Sequence, residues 1–278
     1  MMLGAGAVRD LLERYGIEPS RALGQNFVTD PNTIQRIVSS ASVEPGDRIV
    51  EIGPGVGSLT HGLVDAGADV VAVELDEHLV PALVESMGDA VGHGVDIVQA
   101  DAMKLDWAAF FAQRDRGPWK LIANLPYNVA APVVLRALDE APNINEIVVM
   151  VQREVAERLA APAGSSSYGI PSVKVAYWGR AEILGTVSRN VFFPVPRVES
   201  ALVKILRAEQ PATPADPDRL FALVRQAFGQ RRKMLRRSLA NVVDEAVFTM
   251  AEVAPTARPQ ELDVSDWGRL VLALDTGD

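Results

Sequence analysis

Between residues 49 and 151, short apolar runs rich in Val and Ile alternate with longer stretches whose apolar residues recur at helical spacing. The runs Ile49–Ile52, Val70–Val73, Val95–Val98, Leu121–Ala123 and Ile147–Val151 predict strands. The stretches Ser58–Ala66, His78–Met87, Trp107–Gln113 and Ala130–Asp139 predict helices between them. A strand that is apolar on both faces needs cover on both, which is the situation of a parallel sheet flanked by helices. The predicted class is therefore α/β, a Rossmann-like doubly wound sheet.

The pattern changes on either side of this core. An N-terminal arm carries two helical segments, the second opening at Asp30-Pro31, an acidic cap followed by Pro in the first turn. Beyond the core, Glu182–Val187 and Ala201–Leu206 predict two further strands. Pro211, Pro214 and Pro217 then punctuate the chain and read as a linker. Residues 218–278 have a helical pattern, with Leu220, Leu223, Val224, Ala227 and Phe228 on one face. These features predict two domains, residues 1–208 and a smaller all-helical domain over 215–278, in a monomer.

Composition narrows the chemistry. The 278 residues are 48% hydrophobic and 23% charged, as in a globular protein. No apolar run approaches the roughly 18 residues of a membrane span, and Met1 to Leu12 lacks the apolar stretch of a signal peptide. These readings predict a cytoplasmic protein without a membrane partner. The absence of cysteine removes disulfides and thiolate chemistry, and His61, His78 and His93 lack ligand spacing, so no metal site is expected. A net charge of −9 argues against a polyanionic partner. The distribution alters that picture: Arg219, Arg225, Arg231, Arg232, Lys233, Arg236 and Arg237 fall in one stretch that contains no acid. The alternatives for this stretch are a solvated helix face and a phosphate-binding footprint.

Candidate chemistry begins with Glu51-Ile52-Gly53-Pro54-Gly55-Val56-Gly57, between the first core strand and its helix. Glycines so placed let the backbone turn tightly and approach a ligand. A dinucleotide fingerprint would need Gly at 53, 55 and 58, but residue 58 is Ser. Glu51 puts a carboxylate where a pyrophosphate would be unwelcome but an ammonium or sulfonium would not. Glu74 ends the second strand 19 residues after Gly55, suited to ribose hydroxyls. Asp101 lies just past the third strand, where it can accept from an adenine amine. Together they describe an adenosine ligand without phosphate, namely S-adenosylmethionine (SAM). The bland alternative is a glycine turn among solvated acids.

Asn124-Leu125-Pro126-Tyr127 closes the fourth strand. An exocyclic adenine amine is a poor nucleophile because its lone pair is delocalised into the ring. The Asn124 side chain and the Leu125 backbone carbonyl, both accepting from that amine, would favour its pyramidal form. Tyr127 offers a ring for base stacking, worth about 1–3 kcal/mol. An ordinary proline turn would also accommodate these four residues. Further on, one Phe of Val191–Ser200 could cover the other face of a base and Arg197 could take a phosphate, or the Phe could simply belong to the core.

These stretches, with Leu23–Val28, Gln152–Val155, Tyr168-Gly169 and Phe228–Lys233, resemble the small-subunit (16S) ribosomal RNA adenine dimethyltransferases of the kasugamycin-sensitivity type over nearly the whole chain. The resemblance implies SAM contacts from Gln25, Asn26 and Val28 of the arm, from Gly53 and Gly55, and from Leu75 and Ala102 beside Glu74 and Asp101. It implies that Asn124 meets both SAM and the target base, and that Phe192, rather than Phe193, is a stacking residue. It further implies a 16S rRNA partner in an assembling small subunit and S-adenosylhomocysteine as product; for that RNA the charge pattern offers Arg197, Arg231, Arg232, Lys233, Arg236 and Arg237 as docking cations. Family members dimethylate two adjacent adenosines in a hairpin loop near the 3′ end of that RNA. Val28 stands where Leu is more usual, and Leu125 where DNA adenine methyltransferases carry a second Pro. The rival readings are the erythromycin-resistance type, with the same chemistry on 23S rRNA, and a non-catalytic ribosome-assembly factor on the same fold.

Overall fold

The computed structural model describes residues 2–20, 22–114 and 117–277. Met1 and Asp278, the outermost residues of the two expected domains, lie outside the described residues, as do Arg21, Asp115 and Arg116. The chain forms two compact units, residues 1–156 with 182–206, and residues 157–181 with 207–278.

The first unit opens with α1 (Ala5–Arg14), β1 (Phe27–Val28) and α2 (Pro31–Ser40). Asp30 caps α2, its carboxylate accepting from the Asn32 and Thr33 N–H groups. The alternating core comes next: β2 (Arg48–Ile52), α3 (Ser58–Asp65), β3 (Asp69–Glu74), α4 (Leu79–Met87), β4 (Val95–Gln99), α5 (Trp107–Ala112), β5 (Trp119–Asn124), α6 (Ala130–Glu140) and β6 (Ile144–Gln152). Each predicted core strand and helix is present, with ends shifted by a few residues. After α7 (Arg153–Leu159) and α8 (Ile170–Trp178) come β7 (Gly179–Val187), β8 (Phe192–Phe193) and β9 (Ser200–Arg207).

The sheet order is β4-β3-β2-β5-β6-β9-β7. Strands β2 to β6 are parallel, and β9 runs antiparallel to β6. Strand order reverses between β2 and β5, which opens a crevice at the carboxyl ends of the strands. Core strands are apolar on both faces because helices cover both: Ile49, Val50, Leu121, Ile122, Val148 and Val149 are fully buried. The short β1 was not anticipated. It pairs antiparallel with β8, Phe27 opposite Phe193 and Val28 opposite Phe192.

The second unit adds α9 (Pro217–Phe228), α10 (Leu235–Ser238), α11 (Glu245–Met250) and α12 (Val264–Gly277). Its core includes Tyr168, Val173 and Tyr177 as well as Leu220, Phe221, Val224 and Trp267. Residues 157–181 therefore belong with the helices, not with the SAM-type domain as the 1–208 boundary assumed. The proline-rich stretch is likewise no free linker: the Ala212 N–H donates to the Tyr177 carbonyl, the Tyr177 hydroxyl donates to the Ala215 carbonyl, and Thr213 and Ala215 are buried. The basic stretch is also not one helix. Gly229 closes α9, and residues 230–233 form turns before α10.

Gly62 on α3 shows how tightly the first unit is packed. A Cβ there would lie 2.5 Å from Ile34 Cγ2 and 3.2 Å from Val38 Cγ2 on α2. Alanine gains about 1 kcal/mol of helix propensity over glycine. Overpacking costs about 1–3 kcal/mol, and a fully buried, β-branched Ile34 yields poorly. Gly62→Ala should therefore lower unfolding stability in denaturant titration; an increase would mean that α2 shifts freely.

Candidate active site

Four strand ends supply the walls of one cleft. Strand β2 runs into Gly53-Pro54-Gly55-Val56-Gly57, where all three glycines have positive φ. A Cβ at Gly55 would stand 2.8 Å from the Phe27 ring, and one at Gly53 would stand 3.2 Å from Pro126 Cδ. The glycine loop is thus pressed by the arm on one side and by the acceptor loop on the other. The cleft is lined by Gln25, Asn26 and Val28, by Glu51, Gly53 and Gly55, by Glu74, Leu75, Asp101 and Ala102, and by Asn124, Leu125 and Tyr127. All the residues expected to bind SAM meet there.

The carboxyl groups differ in their surroundings. Glu51 is 1% exposed, and its carboxyl accepts from the Thr60 hydroxyl at 2.7 Å. Burial pushes its pKa up to about 8, with the Thr60 bond opposing and the negative charge of Glu74 adding to the rise. Glu74 is also raised by burial, against the pull of its backbone donors. Those donors are the Gly55 N–H at 3.1 Å and the Asp76 N–H at 2.9 Å, one to each oxygen. Each oxygen retains a lone pair for a ligand hydroxyl. Asp101 accepts from the Met103 N–H at 2.8 Å, which fixes the loop after β4. Leu75 is 52% exposed and gives the cleft an apolar face. Ser58 Oγ, at the start of α3, is buried in the cleft wall and has no hydrogen-bond partner among the described residues.

At the acceptor loop, Asn124 Nδ2 donates to the Asn26 carbonyl at 2.9 Å. That bond assigns the two ends of the amide: the nitrogen is engaged by the arm, and Oδ1 remains an acceptor. The Leu125 side chain is buried and its N–H donates to the Met150 carbonyl, so only its own carbonyl is available for the role expected of it. Tyr127 is tied through its hydroxyl to Ser200 at 2.6 Å, and burial raises its pKa. It is a neutral ring in a fixed orientation.

Phe192 departs from expectation. It is 2% exposed and packs in the core with Val28, Ile34 and Leu202, away from the cleft lining. Its ring is not presented for stacking, because pairing of β8 with β1 turns the side chain inward. Phe193 instead lies under Arg9, 5.1 Å from guanidinium carbon to ring centre. Arg197 is exposed. In the helical unit Arg231, Arg232, Lys233, Arg236 and Arg237 are all exposed, and none forms an ion pair among the described residues. Arg231 donates to the Ser166 carbonyl, and Arg219 is neutralised by Asp275. Thr60, Asp76 and Ser200 were missed by sequence reasoning. Thr60 and Ser200 act on Glu51 and Tyr127 through side-chain contacts that no local spacing reveals, and Asp76 does so by accepting from Gln25 of the arm. Among the described residues no cluster of metal-binding side chains is present, and no helix is long and apolar enough to cross a membrane.

The family model described as Ribosomal RNA adenine dimethylase matches residues 18–275. The chain belongs to this family. A protein of Leifsonia xyli subsp. xyli named Ribosomal RNA small subunit methyltransferase A is 46% identical, over 97% of each chain. A protein of the same name from Corynebacterium glutamicum (strain R) is 43% identical, over 100% of this chain and 97% of its own. Among solved structures, the 23S rRNA methyltransferase ErmE is 26% identical with a TM-score of 0.66, covering 90% of this chain and 99% of its own. A dimethyladenosine transferase from Plasmodium falciparum shares the fold, with a TM-score of 0.73 at 22% identity over 90% of this chain and 98% of its own. The protein is thus an rRNA adenine dimethyltransferase on a Rossmann-like methyltransferase fold, as its motifs implied.

The Glu51 environment has a measurable consequence. The folded protein keeps this proton up to about pH 8, whereas an unperturbed Glu side chain titrates at 4.5. The stability it contributes is complete below the lower value and is lost as pH rises through the higher one. Glu51→Gln cannot ionise, so wild type should lose stability relative to the variant between about pH 5 and about pH 9 in denaturant unfolding. Parallel curves would mean that Glu51 ionises without penalty.

Proposed function

We propose that the protein transfers methyl groups from SAM to N6 of two adjacent adenosines in a hairpin loop near the 3′ end of 16S rRNA, giving N6,N6-dimethyladenosine. The observation that carries this reading is the Asn124 amide, held by its nitrogen on the arm with Oδ1 free beside a carboxylate-lined cleft. The whole-length likeness to proteins named for the small subunit favours this RNA over 23S rRNA.

The residues present fit SAM. Glu74 suits the ribose hydroxyls, Asp101 the adenine amine, and Leu75 with Ala102 the adenine ring. Glu51 and Gly53 stand at the methionine end, where the unpartnered Ser58 Oγ suits a carboxylate. Gln25, Asn26 and Val28 close the cleft from the arm. When bound, SAM supplies a methyl group on a positively charged sulfur and leaves as the neutral thioether S-adenosylhomocysteine.

Asn124 Oδ1 and the Leu125 carbonyl accept the two N6 hydrogens of adenine, drawing the nitrogen toward a pyramid and localising its lone pair. The amine becomes strongly acidic as it gains carbon, so its proton passes to solvent without a dedicated base. Catalysis is then positioning and electrostatics. Tyr127 supplies the stacking face for a base extruded from its strand. After one methyl is added a single N–H remains, so one of the two acceptors suffices for the second transfer. Arg231, Arg232, Lys233, Arg236 and Arg237, with Arg197, provide phosphate contacts. The enzyme acts as a cytoplasmic monomer, since one chain supplies every group invoked.

The direct test is labelled methyl transfer into small subunits from cells lacking this enzyme, with large subunits as control and the modified bases mapped. Dimethyladenosine near the 3′ end of 16S rRNA is expected; label confined to large subunits would replace the reading with the 23S type. Asn124→Ala should lower transfer by at least about 10²–10³-fold while leaving the unfolding midpoint nearly unchanged. Reversing Arg231, Arg232 and Lys233 to Glu should weaken subunit binding far more than SAM binding. It should also reduce the slope of log affinity against log salt by about 2, and an unchanged slope would remove these residues from the RNA contact.

A further inference from the structure

The arm residues around Gln25 reach from the cofactor wall to the acceptor loop and are fixed on both sides. On the cofactor side, Gln25 Nε2 donates to Asp76 at 2.8 Å, and the Asp76 N–H donates to Glu74. On the acceptor side there are two bonds. Asn124 Nδ2 donates to the Asn26 carbonyl, and Asn128 Nδ2 donates to the Ala22 carbonyl at 3.0 Å. Asn128 has no part in the chemistry described above.

Its contact with the arm is close-fitting. Gly24 has a φ of +68°, and a Cβ there would stand 2.9 Å from Asn128 Oδ1 and 3.0 Å from the Tyr127 nitrogen. The arm also holds its own shape here. The Gln25 N–H donates to the Ser20 carbonyl, the Ser20 N–H donates to Gln25 Oε1, and Asn26 Nδ2 donates to the Gly24 carbonyl. A displacement at Ala22 is therefore passed on to the Asn26 carbonyl.

That carbonyl matters because a side-chain amide has two ends of nearly equal size. Turned over, Asn124 would set Oδ1 against the Asn26 carbonyl and its NH2 against the hydrogens of the acceptor amine. The acceptor amine penalises that orientation at one end of the amide, and a fixed carbonyl at Asn26 penalises it at the other. We propose that Asn128 is a positioning residue for methyl transfer: its hold on Ala22 keeps the Asn26 carbonyl on Asn124, and so keeps Asn124 Oδ1 turned toward the acceptor amine. The inference rests on the reading of Asn124 as the partner of that amine.

Asn128→Asp separates this role from space-filling. The side chain keeps its shape but loses its donor and turns a carboxylate oxygen toward the Ala22 carbonyl. Asn128→Ala removes the bond without repulsion, and Gly24→Ala displaces Asn128 from the arm side. Two readouts apply to the full-length protein. Hydrogen exchange without ligand should rise about tenfold at the amides of residues 22–26 in the Asp variant, with the sheet unaffected. Single-turnover transfer at saturating SAM and saturating small subunits should fall about tenfold in the Asp variant and less in the Ala variant, because the fault lies in orientation rather than occupancy.

A rate at saturation equal to wild type, with only a higher SAM requirement, would reduce Asn128 to a cofactor clamp and overturn the proposal. So would exchange at residues 22–26 that ignores Asn128→Asp. If wild type itself transferred no methyl to small subunits, the functional reading would fall by that result alone, while the exchange measurement would still decide whether Asn128 anchors the arm.

Discussion

Parallel pairing of β2 with β3 and of β3 with β4 brings Ile52 beside Val73 and Glu74 beside Gln99, so that three strands end on one edge. Strand β5 joins on the other side of β2 and delivers Asn124 to the same edge. Because the order reverses there, the loops diverge and leave a crevice between them. Strand-end residues far apart in sequence, Glu51, Glu74 and Asn124 among them, become neighbours for that reason. The glycines after β2 then hold the floor low: their positive φ values and the Phe27 and Pro126 contacts leave no room for side chains.

The same crevice sets the electrostatics. Glu51 and Glu74 are buried acids in a chain of net charge −9, an arrangement that costs stability and pushes both toward the neutral form. Backbone N–H groups offset part of that cost at Glu74, whereas among the described residues Glu51 accepts only from the Thr60 hydroxyl. A cleft prepared in this way favours a ligand that brings positive charge and hydroxyl donors. Five of the chain's 27 Lys and Arg residues, Arg231, Arg232, Lys233, Arg236 and Arg237, fall together on the turns and short helix after α9.

The arm and the segment around β8 are joined by a ladder of two residue pairs, extended by the bond from the Thr29 N–H to the Val191 carbonyl. This pairing explains why two segments more than 160 residues apart lie side by side. It also explains the burial of Phe192: a residue opposite Val28, on the inner side of that ladder, packs against the core. The acceptor loop is gripped from both sides, by the arm at Asn124 and by Ser200 of β9 at Tyr127.

Sequence alone determined the alternating core. Its strands are apolar on both faces and its helices on one, a pattern set by solvent exclusion and readable without contacts. It also determined the cleft-lining acids and Asn124, since residues at strand ends must meet once the sheet is parallel. Only the tertiary structure decided what depends on partners distant in sequence. Residues 157–181 join the helical unit because Tyr168, Val173 and Tyr177 find their apolar neighbours there, not because any local signal marks a boundary. Phe192 could be a stacking ring or a core residue by composition, and the pairing of β8 with β1 chose the core. The amide orientation of Asn124 is fixed by a carbonyl 98 residues away, which no spacing rule could supply. Local periodicity encodes which face is buried; it does not encode which distant group completes a hydrogen bond.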